Sequence, residues 1–383
     1  LTKFALGPVA MFILMGEVLF RTGVAVRAID AVERLITRVP GRLSVAAISG
    51  GVVFSTLSGS SMANTALLGS TLMPEMLRRG YHRSMCMGPI MAVGGIAMLI
   101  PPSTVAVLLG SIAEIPISYL LIGGIVPGVM IGGAHLGYVL LRCWLSPGLA
   151  PPYSVAEMTL WERVRPFLVY VLPVLSLFVL VVGSILGGFA TPTESAALGA
   201  VGAVLVSACY RSLSLAALHR ALMNTGKTTT MMLFILGASL TFSQILAFSG
   251  ATNGLVGLIR EGDPEPLLVL AAMLAILLFL GAFMDSISMM LLTLPFFIPT
   301  AEHFGIDLIW FGILVLLTIE ISGMTPPFGL MLFVMKSVAP PDFTMMQVYR
   351  AILPFILIEL CILGLLVTQP GLVTYLPSLL RPG

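Results

Sequence analysis

The chain has 383 residues, of which 58% are hydrophobic and 9% are charged. A composition this apolar is typical of a protein that faces lipid over most of its surface, and it all but excludes a soluble protein. At about 20 apolar residues per span, the length allows roughly ten membrane segments and leaves almost nothing for a domain outside the bilayer. The net charge of +2 gives no sign of a nucleic-acid partner.

The N-terminal segment predicts a membrane span at Phe4–Phe20. Because the apolar stretch begins at position 1, with no charged segment before it, we expect the natural start of the protein and one further span to be absent. Residues 25–42 interleave charged and aliphatic side chains at helical spacing. This pattern predicts an amphipathic arm helix at the membrane surface.

Residues 43–77 form the first of two predicted hairpins. Its apolar legs are about 15 residues each, or about 22 Å as helix, which is short for a membrane crossing. The legs meet at Ser58-Gly59-Ser60-Ser61, and arginines flank the outer ends at Arg42 and Arg78. Positive charge marks the cytoplasmic side, so we expect both ends in the cytoplasm and the tip near mid-membrane. Two ordinary spans would also return to the same side, and only the short legs favour re-entry.

A helix broken at Pro101-Pro102 is predicted at 85–113, and it belongs to a first repeat at 1–144. A polar linker and two connecting spans fill 145–229. A second repeat at 230–383 replays the order of the first. Its elements are an arm at 250–264, a hairpin at 266–301, a broken helix at 308–338 and a last span near Ile352–Tyr375.

The two repeats are related by one constant offset in sequence. Ile100-Pro101-Pro102-Ser103 in the first repeat has its counterpart in Thr325-Pro326-Pro327-Phe328 in the second. The alternative is chance recurrence among 26 prolines. The same offset pairs further small or helix-breaking residues: Ser61 with Ser286, Pro74 with Pro299, Gly80 with Gly305 and Pro116 with Pro341.

Charge at equivalent positions is reversed between the repeats. Residues 25–42 hold four arginines and two acidic residues, whereas 250–267 hold one arginine and three acidic residues. By the positive-inside rule, the same structural position lies inside in one repeat and outside in the other. The predicted fold class is therefore an all-α polytopic membrane protein built as an inverted repeat with two re-entrant hairpins and two Pro-Pro-broken helices, as in secondary transporters.

The breaks and hairpin tips supply the predicted chemistry. A proline pair removes backbone N–H donors and leaves carbonyl oxygens without helical partners. With the hydroxyl and carbonyl oxygens of a Ser/Gly tip, these form a ligand set for a hard cation such as Na⁺, while nearby helix N-termini attract an anion. We therefore predict one cation site per repeat with an anionic substrate between them. The alternative for Ser58, Ser60 and Ser61 is a small-residue helix contact.

Four acidic residues lie in apolar sequence, where each needs a partner or a function. Asp285, in the second tip, is predicted to bind an ion. Glu320 occupies the position of Gly95 in the first repeat, and an ion pathway and a structural pairing explain it equally well. Glu194 follows a threonine by three residues, which favours a helix-capping box. Glu17 has no assigned role.

Several of these motifs, taken together, resemble a known family over nearly the whole chain. The motifs are Met11-Phe12-Ile13-Leu14-Met15-Gly16-Glu17, Ser58-Gly59-Ser60-Ser61, Pro74 with Gly80-Tyr81, Ile100-Pro101-Pro102-Ser103, Ala190-Thr191-Pro192-Thr193-Glu194 and Glu320 with Gly323-Met324-Thr325-Pro326-Pro327-Phe328-Gly329. In these motifs the chain resembles the large membrane subunit of tripartite ATP-independent periplasmic (TRAP) transporters.

The resemblance implies a sodium-coupled importer of organic acids, such as C4-dicarboxylates or sialic acid, that works by an elevator motion in the bacterial inner membrane. It implies two partners, a small membrane subunit and a periplasmic solute-binding protein, and no cofactor besides the coupling ion. Of the implied site residues, we assign Na⁺ to Ser60, Ser61, Pro101, Asp285 and Thr325. The implied ion and substrate residues are Ser58, Gly59, Ser60, Ser61, Gly95, Pro101, Pro102, Asp285, Ser286, Gly323, Thr325 and Phe328. The expected first membrane helix and a fused small subunit are missing from the sequence, so a separate small subunit is expected.

Three other functions are alternatives for such a sequence. A stand-alone sodium/carboxylate carrier of the citrate type would share the inverted hairpins and dispense with a binding protein. An ion channel would need a continuous polar pore, which the sparse charge disfavours. A membrane enzyme would need clustered catalytic groups, whereas the histidines are dispersed. They are His82, His135, His219 and His303.

Overall fold

In the computed structural model of the chain, the described residues are 7–36, 39–58, 60–151, 159–250 and 264–379, with the single residues 254, 257 and 262. They form helices and turns, and no β-strand occurs among them. The helices are α1 (Gly7–Arg21), α2 (Val24–Leu35), α3 (Arg42–Ser58), α4 (Ser61–Arg78), α5 (Arg83–Gly95), α6 (Thr104–Ile112), α7 (Ile117–Gly123), α8 (Ile125–Leu145), α9 (Leu160–Leu186), α10 (Pro192–Cys209), α11 (Leu215–Ser249), α12 (Pro266–Gly281), α13 (Ser286–His303), α14 (Leu308–Met324), α15 (Leu330–Val338), α16 (Met345–Thr368) and α17 (Gly371–Ser378).

Five helical segments within the described residues are long and apolar enough to cross a bilayer, and the bent pair α1 and α2 would add a sixth. The five are α7 with α8, α9, α10, α11 and α16. The apolar helices α12 and α14 are shorter, with 16 and 17 residues. The prediction of an all-α protein with several membrane-spanning helices is therefore confirmed.

Helix boundaries follow the sequence repeat. Helix α4 begins at Ser61 and ends at Arg78, and α13 begins at Ser286 and ends at His303. Both boundaries are related by the same offset as the two proline pairs. The glycines that follow these helices, Gly80 and Gly305, both adopt a positive φ, of 77° and 67°, which a residue without a Cβ adopts at little cost. The bounds of these two helices and the turns that follow them thus keep the offset seen in the sequence.

Both proline pairs interrupt a helix, as predicted. Helix α5 gives way to a 3₁₀ turn at Ile96–Met98, and α6 resumes at Thr104. In the second repeat α14 ends at Met324, and α15 spans Leu330–Val338. The peptide bonds Pro101-Pro102 and Pro326-Pro327 are both cis.

Several predicted boundaries differ from the structure. The arm helix ends at Leu35 instead of 42, since Pro40 and Gly41 follow and do not support a helix. Helix α11 runs without a break through the predicted boundary at 229/230. Helix α16 begins at Met345, earlier than predicted, because Thr344 forms a capping box with Gln347. Most of the predicted second arm, 250–264, lies outside the described residues.

The two broken helices lie at the centre of the molecule. Every residue of α5 from Met85 to Gly95 is buried, and α14 is buried along nearly its whole length. Helices α3, α4 and α16 surround α5, while α12, α13 and α16 contact α14. The two hairpins are therefore held against one central pair of interrupted helices.

Candidate ion and substrate site

Each hairpin tip ends in a helix N-terminus with a side-chain cap. Ser60 caps α4, where its Oγ accepts a hydrogen bond from the N–H of Ala63 at 3.3 Å. Asp285 caps α13, where its Oδ2 accepts from the N–H groups of Ile287 at 3.1 Å and Ser288 at 3.0 Å. Ser60 and Asp285 are related by the repeat offset and hence occupy equivalent positions. The tips therefore share a backbone design and differ in charge.

The second helix break brings carbonyl oxygens together. The helical partner of the Gly323 carbonyl would be the N–H of residue 327, which is a proline and has none. A Cβ placed on Gly329 would lie 2.7 Å from the Gly323 oxygen and 2.8 Å from the Thr325 oxygen. The two oxygens thus converge on one point, and glycine is required at 329 because no side chain fits there.

Glu320 lies between the two repeats. The side chain is only 2% exposed, and its Oε2 accepts a hydrogen bond from the Ser61 hydroxyl at 3.4 Å. The other oxygen, Oε1, is buried and has no hydrogen-bond partner in the described part of the chain. A Cβ on Gly95 would lie 3.0 Å from this oxygen. Glu320 therefore contacts Gly95, the residue to which the repeat offset relates it.

A cavity of about 290 Å³ joins these features. Both tips border it, through Ser60 and Ser61 on one side and Asp285 and Ser286 on the other, and Gly323 reaches it from the second break. Glu17 and Glu320 also line the cavity. Five of the predicted site residues are therefore brought together around one space, although they come from distant parts of the sequence.

Other predicted site residues lie outside the cavity wall. Pro101 and Pro102 are buried in the first break, and Gly95 faces Glu320. The Thr325 hydroxyl donates to the carbonyl of Ile321 at 2.7 Å. Phe328 is 52% exposed, and its ring contacts those of Phe283 and Phe333. The side chain of Ser58 and all of Gly59 lie outside the described residues.

Asn64, one turn into α4, is a buried polar residue that the sequence motifs did not single out. It is fully buried, and its Nδ2 donates to the Ser55 hydroxyl, which in turn donates to the carbonyl of Val93 at 2.9 Å. These bonds tie both hairpin legs to α5. The Oδ1 of Asn64 is buried and has no hydrogen-bond partner among the described residues. An asparagine in an apolar helix close to a polar tip was the sequence signal that could have identified this residue, because a buried amide needs hydrogen-bond partners.

A second buried polar pair was also missed. His135 on α8 and Glu359 on α16 are both 0% exposed, and His135 Nε2 lies 3.4 Å from Glu359 Oε1. The His135 ring makes an edge-to-face contact with Phe355. The prediction that histidines are dispersed holds in sequence, but His135 lies beside a buried carboxyl group. Neither the ring nitrogens of His135 nor the carboxyl oxygens of Glu359 have a hydrogen-bond partner among the described residues.

The other two acidic residues of the four singled out in the sequence, Glu17 and Glu194, have clear partners. Glu17 Oε2 accepts from Arg21 Nε at 3.0 Å, and Asn224 Nδ2 donates to the same carboxylate at 3.4 Å. Glu194 forms the predicted capping box, because its Oε2 accepts from the N–H of Thr191 at 2.7 Å while its own N–H bonds the Thr191 hydroxyl. The capping hypothesis for Glu194 is confirmed.

Known proteins with similar sequences or folds are transporters. The chain is 32% identical over 378 residues to the C4-dicarboxylate TRAP transporter large permease protein DctM of Pseudomonas aeruginosa, with 98% of this chain and 86% of the relative covered. It is 30% identical to the ectoine/5-hydroxyectoine TRAP transporter large permease protein UehC of Ruegeria pomeroyi, with 97% and 85% of the two chains covered.

The fold is similar to that of the YdaH transporter of Alcanivorax borkumensis, with a TM-score of 0.70 at 15% identity over 96% of this chain and 85% of that one. The sequence model of a protein family, the DctM component of tripartite ATP-independent periplasmic transporters, matches residues 1–372. This match covers nearly the whole chain, and the relatives named above are permeases and not enzymes. The chain therefore belongs to the DctM component family, the large membrane permeases of tripartite ATP-independent periplasmic transporters.

Proposed function

We propose that this permease imports an organic acid together with Na⁺ across the bacterial inner membrane. It works with a small membrane subunit and a periplasmic solute-binding protein that delivers the substrate. The proposal extends to this chain what the family resemblance implies, and it needs no nucleotide or other cofactor. The sequence contains no Gly-rich phosphate loop followed by Lys-Ser/Thr.

The observation that carries the proposal is the convergence of both tips and Glu320 on one cavity. A buried carboxylate oxygen without a donor is costly in the membrane interior unless a cation is close to it. The carbonyl oxygens that converge on Gly329 are ligands of the kind that hard cations bind. Cation binding would therefore satisfy the Glu320 oxygen that the described residues leave without a donor.

In this proposal each repeat holds one Na⁺. The first ion is assigned to Ser60 and Ser61 with the carbonyl groups near Pro101, and the second to Asp285 and Thr325. Both cap bonds of Asp285 go to Oδ2, so Oδ1 makes neither of them. Bound Na⁺ would hold the tips in place beside the helix N-termini, which then attract the substrate anion. By linkage, substrate tightens Na⁺ binding by the same factor.

Transport would follow from movement of one unit against another. The two hairpins and the two broken helices form the moving unit, because both tips and both breaks contribute to the ion sites. The remaining spans and the arm helices would brace it. This is an elevator mechanism in which ions and substrate cross the membrane together with the protein that holds them.

Uptake into proteoliposomes tests the proposal. The permease is reconstituted with its small subunit, and uptake of labelled organic acids is measured with and without the cognate binding protein under an inward Na⁺ or choline gradient. We expect uptake to need both Na⁺ and the binding protein. Glu320→Gln should lower the uptake rate at least about tenfold. Glu302→Gln, which removes an exposed carboxyl group of the same repeat, should transport at the rate of the parent protein.

Two outcomes would contradict the proposal in different ways. Uptake that is indifferent to the binding protein would indicate a stand-alone carboxylate carrier instead. Uptake that is indifferent to Na⁺ would remove the role assigned to both hairpin tips.

A further inference from the structure

Helix α13, the second leg of the second hairpin, carries Pro295 in its interior. In a regular α-helix the carbonyl of Leu291 would accept a hydrogen bond from the N–H of residue 295, and a proline has no N–H. The first repeat has Ser70 at the equivalent position of α4, and a serine supplies this N–H. In the second repeat the carbonyl therefore needs a donor from outside its own helix.

The donor comes from α11. The Ser239 hydroxyl donates a hydrogen bond to the carbonyl oxygen of Leu291 at 2.8 Å. Leu291 is buried, and a buried carbonyl group without a donor is costly. On the same face of α11, the ring of Phe242 makes an edge-to-face contact with the ring of Phe296, with 6.3 Å between the centroids. The contact between α11 and α13 thus contains a hydrogen bond that completes the backbone pairing of α13.

Helix α11 also contacts the spans assigned to bracing. It packs against α1, and Asn224 Nδ2 donates to the carboxylate of Glu17 in α1 at 3.4 Å. Helix α13 begins at the second tip, where Asp285 caps it beside the cavity. In the elevator mechanism proposed above, α13 moves and α11 does not. The hydrogen bond from Ser239 to Leu291 would then join the two units and would have to break in each transport cycle.

We propose that Ser239 is a positioning residue of the transport cycle, which holds the second hairpin at its present place along α11 by supplying the donor that Pro295 lacks. This inference rests on the elevator movement of the proposed function. When α13 slides along α11, the carbonyl of Leu291 loses the Ser239 hydroxyl, and Pro295 prevents its own helix from replacing that donor. The hydrogen bond therefore favours the state in this structure over the states that the hairpin reaches by moving.

Distances between two spin labels measure the position of α13 along α11. The labels are attached to Phe248→Cys on α11 and Glu302→Cys on α13, which are exposed positions, after replacement of the four native cysteines. The permease and its small subunit are measured in lipid nanodiscs, in Na⁺ or choline buffer. We expect Ser239→Ala to lower the ratio of the population at the distance of this structure to all others at least about threefold, as loss of one hydrogen bond typically does. Ser239→Thr keeps a hydroxyl and should match the parent.

Returning the missing donor to α13 gives the sharper test. Pro295→Ala supplies an N–H within the helix, so the Leu291 carbonyl no longer depends on Ser239, and Ser239→Ala should leave the population ratio unchanged in this background. Ser243→Ala is the matched control, because the Ser243 hydroxyl donates within α11, to the carbonyl of Ser239 at 2.9 Å. The inference would be overturned if Ser239→Ala left the ratio of the parent unchanged, lowered it equally in the Pro295→Ala background, or had the same effect as Ser243→Ala.

Uptake by the same variants separates this inference from the proposed function. The hydrogen bonds described for the Ser239 side chain involve none of the residues assigned to Na⁺, so Ser239→Ala should keep the Na⁺ dependence of uptake. Uptake by the parent that does not depend on Na⁺, together with the expected population shift, would contradict sodium coupling and leave the role of Ser239 intact. A single, unchanged distance in the parent and in Ser239→Ala under every condition would overturn both the elevator movement and the role of Ser239.

Discussion

The two repeats carry different charges at equivalent positions of their sequences. Asp285, Glu320 and Glu359 all belong to the second repeat. Their counterparts in the first repeat are Ser60, Gly95 and Ala134. Where the pseudo-symmetry brings equivalent residues together, as it does for Glu320 and Gly95, two carboxylates would collide. The backbone is thus duplicated, but these acidic groups are confined to one copy.

The largest expected effect comes from placing a second carboxyl group beside Glu320. Gly95→Glu adds a side chain where Glu320 Oε1 already lies 3.0 Å from the position of a Cβ, and it adds a second buried carboxyl group. We expect a loss of at least about 4 kcal/mol, enough to remove most folded protein. The yield of monodisperse permease in size-exclusion chromatography measures this loss.

The matched control moves the acidic residue from position 320 to position 95. The double variant Gly95→Glu with Glu320→Gly keeps one carboxyl group at the contact and should recover most of the folded yield. A single variant that folds as well as the parent, or a double variant as defective as the single one, would contradict this explanation of the asymmetry.

A second large effect is expected at the buried pair of α8 and α16. His135→Leu leaves the Glu359 carboxyl group buried beside an apolar side chain, and a buried polar group without a partner typically costs about 1–3 kcal/mol. His135→Leu combined with Glu359→Met removes both polar groups and should restore most of the stability, since buried pairs can be replaced by apolar residues at little cost. Melting temperatures of the two single variants and the double variant give the coupling free energy. A coupling close to zero would mean that the 3.4 Å approach is not an interaction.

The helix caps sharpen the comparison on a smaller scale. Asp285→Ala removes two cap bonds and should destabilise the first turn of α13 by about 1–2 kcal/mol, whereas Ser60→Ala removes the bond to Ala63 and should cost α4 about 0.5–1 kcal/mol. Hydrogen exchange in the first turns of the two helices measures the difference. Equal exchange in the two variants would show that the second bond of Asp285 has no additional capping role.

The smallest effect tests where the repeats should agree. Gly80→Ala and Gly305→Ala each force a Cβ into a left-handed backbone, at about 1 kcal/mol. Among the described residues, a Cβ at 305 meets nothing within 4 Å, and one at 80 meets only Pro151 at 3.8 Å. The two variants should therefore lower the melting temperature equally. A clear difference between them would indicate that the two turns do not have equivalent conformations.

Local chemistry explains why so much of the fold could be predicted. Helices α4 and α13 begin at a capping Ser or Asp and end before a glycine with positive φ, and both signals are visible in sequence. The breaks at the two proline pairs follow from the missing N–H groups in the same way. The continuous helix α11 could not be predicted, because its polar first half resembles a surface segment unless its neighbours are known.

The candidate site was predictable only in part. Ser60, Ser61, Asp285 and Ser286 lie at local breaks in the helical pattern, which marks them in the sequence. The hydrogen bond from Ser61 to Glu320 joins residues that are distant in sequence, and no local pattern encodes it. The pairing of His135 with Glu359 depends on tertiary packing in the same way, and a single histidine in an apolar helix gives no sign of its partner.

The proposed mechanism is tested most directly by measuring whether Na⁺ changes access to the cavity at both hairpin tips. Met62 and Ile287 are repeat equivalents, and both line the cavity. Single cysteines at these positions, in a background with the four native cysteines replaced, report access to the cavity through their rate of reaction with a polar thiol reagent. We expect Na⁺, and not K⁺, to slow the reaction at both positions. A rate that Na⁺ leaves unchanged at either position would contradict the claim that each of the two tips binds Na⁺.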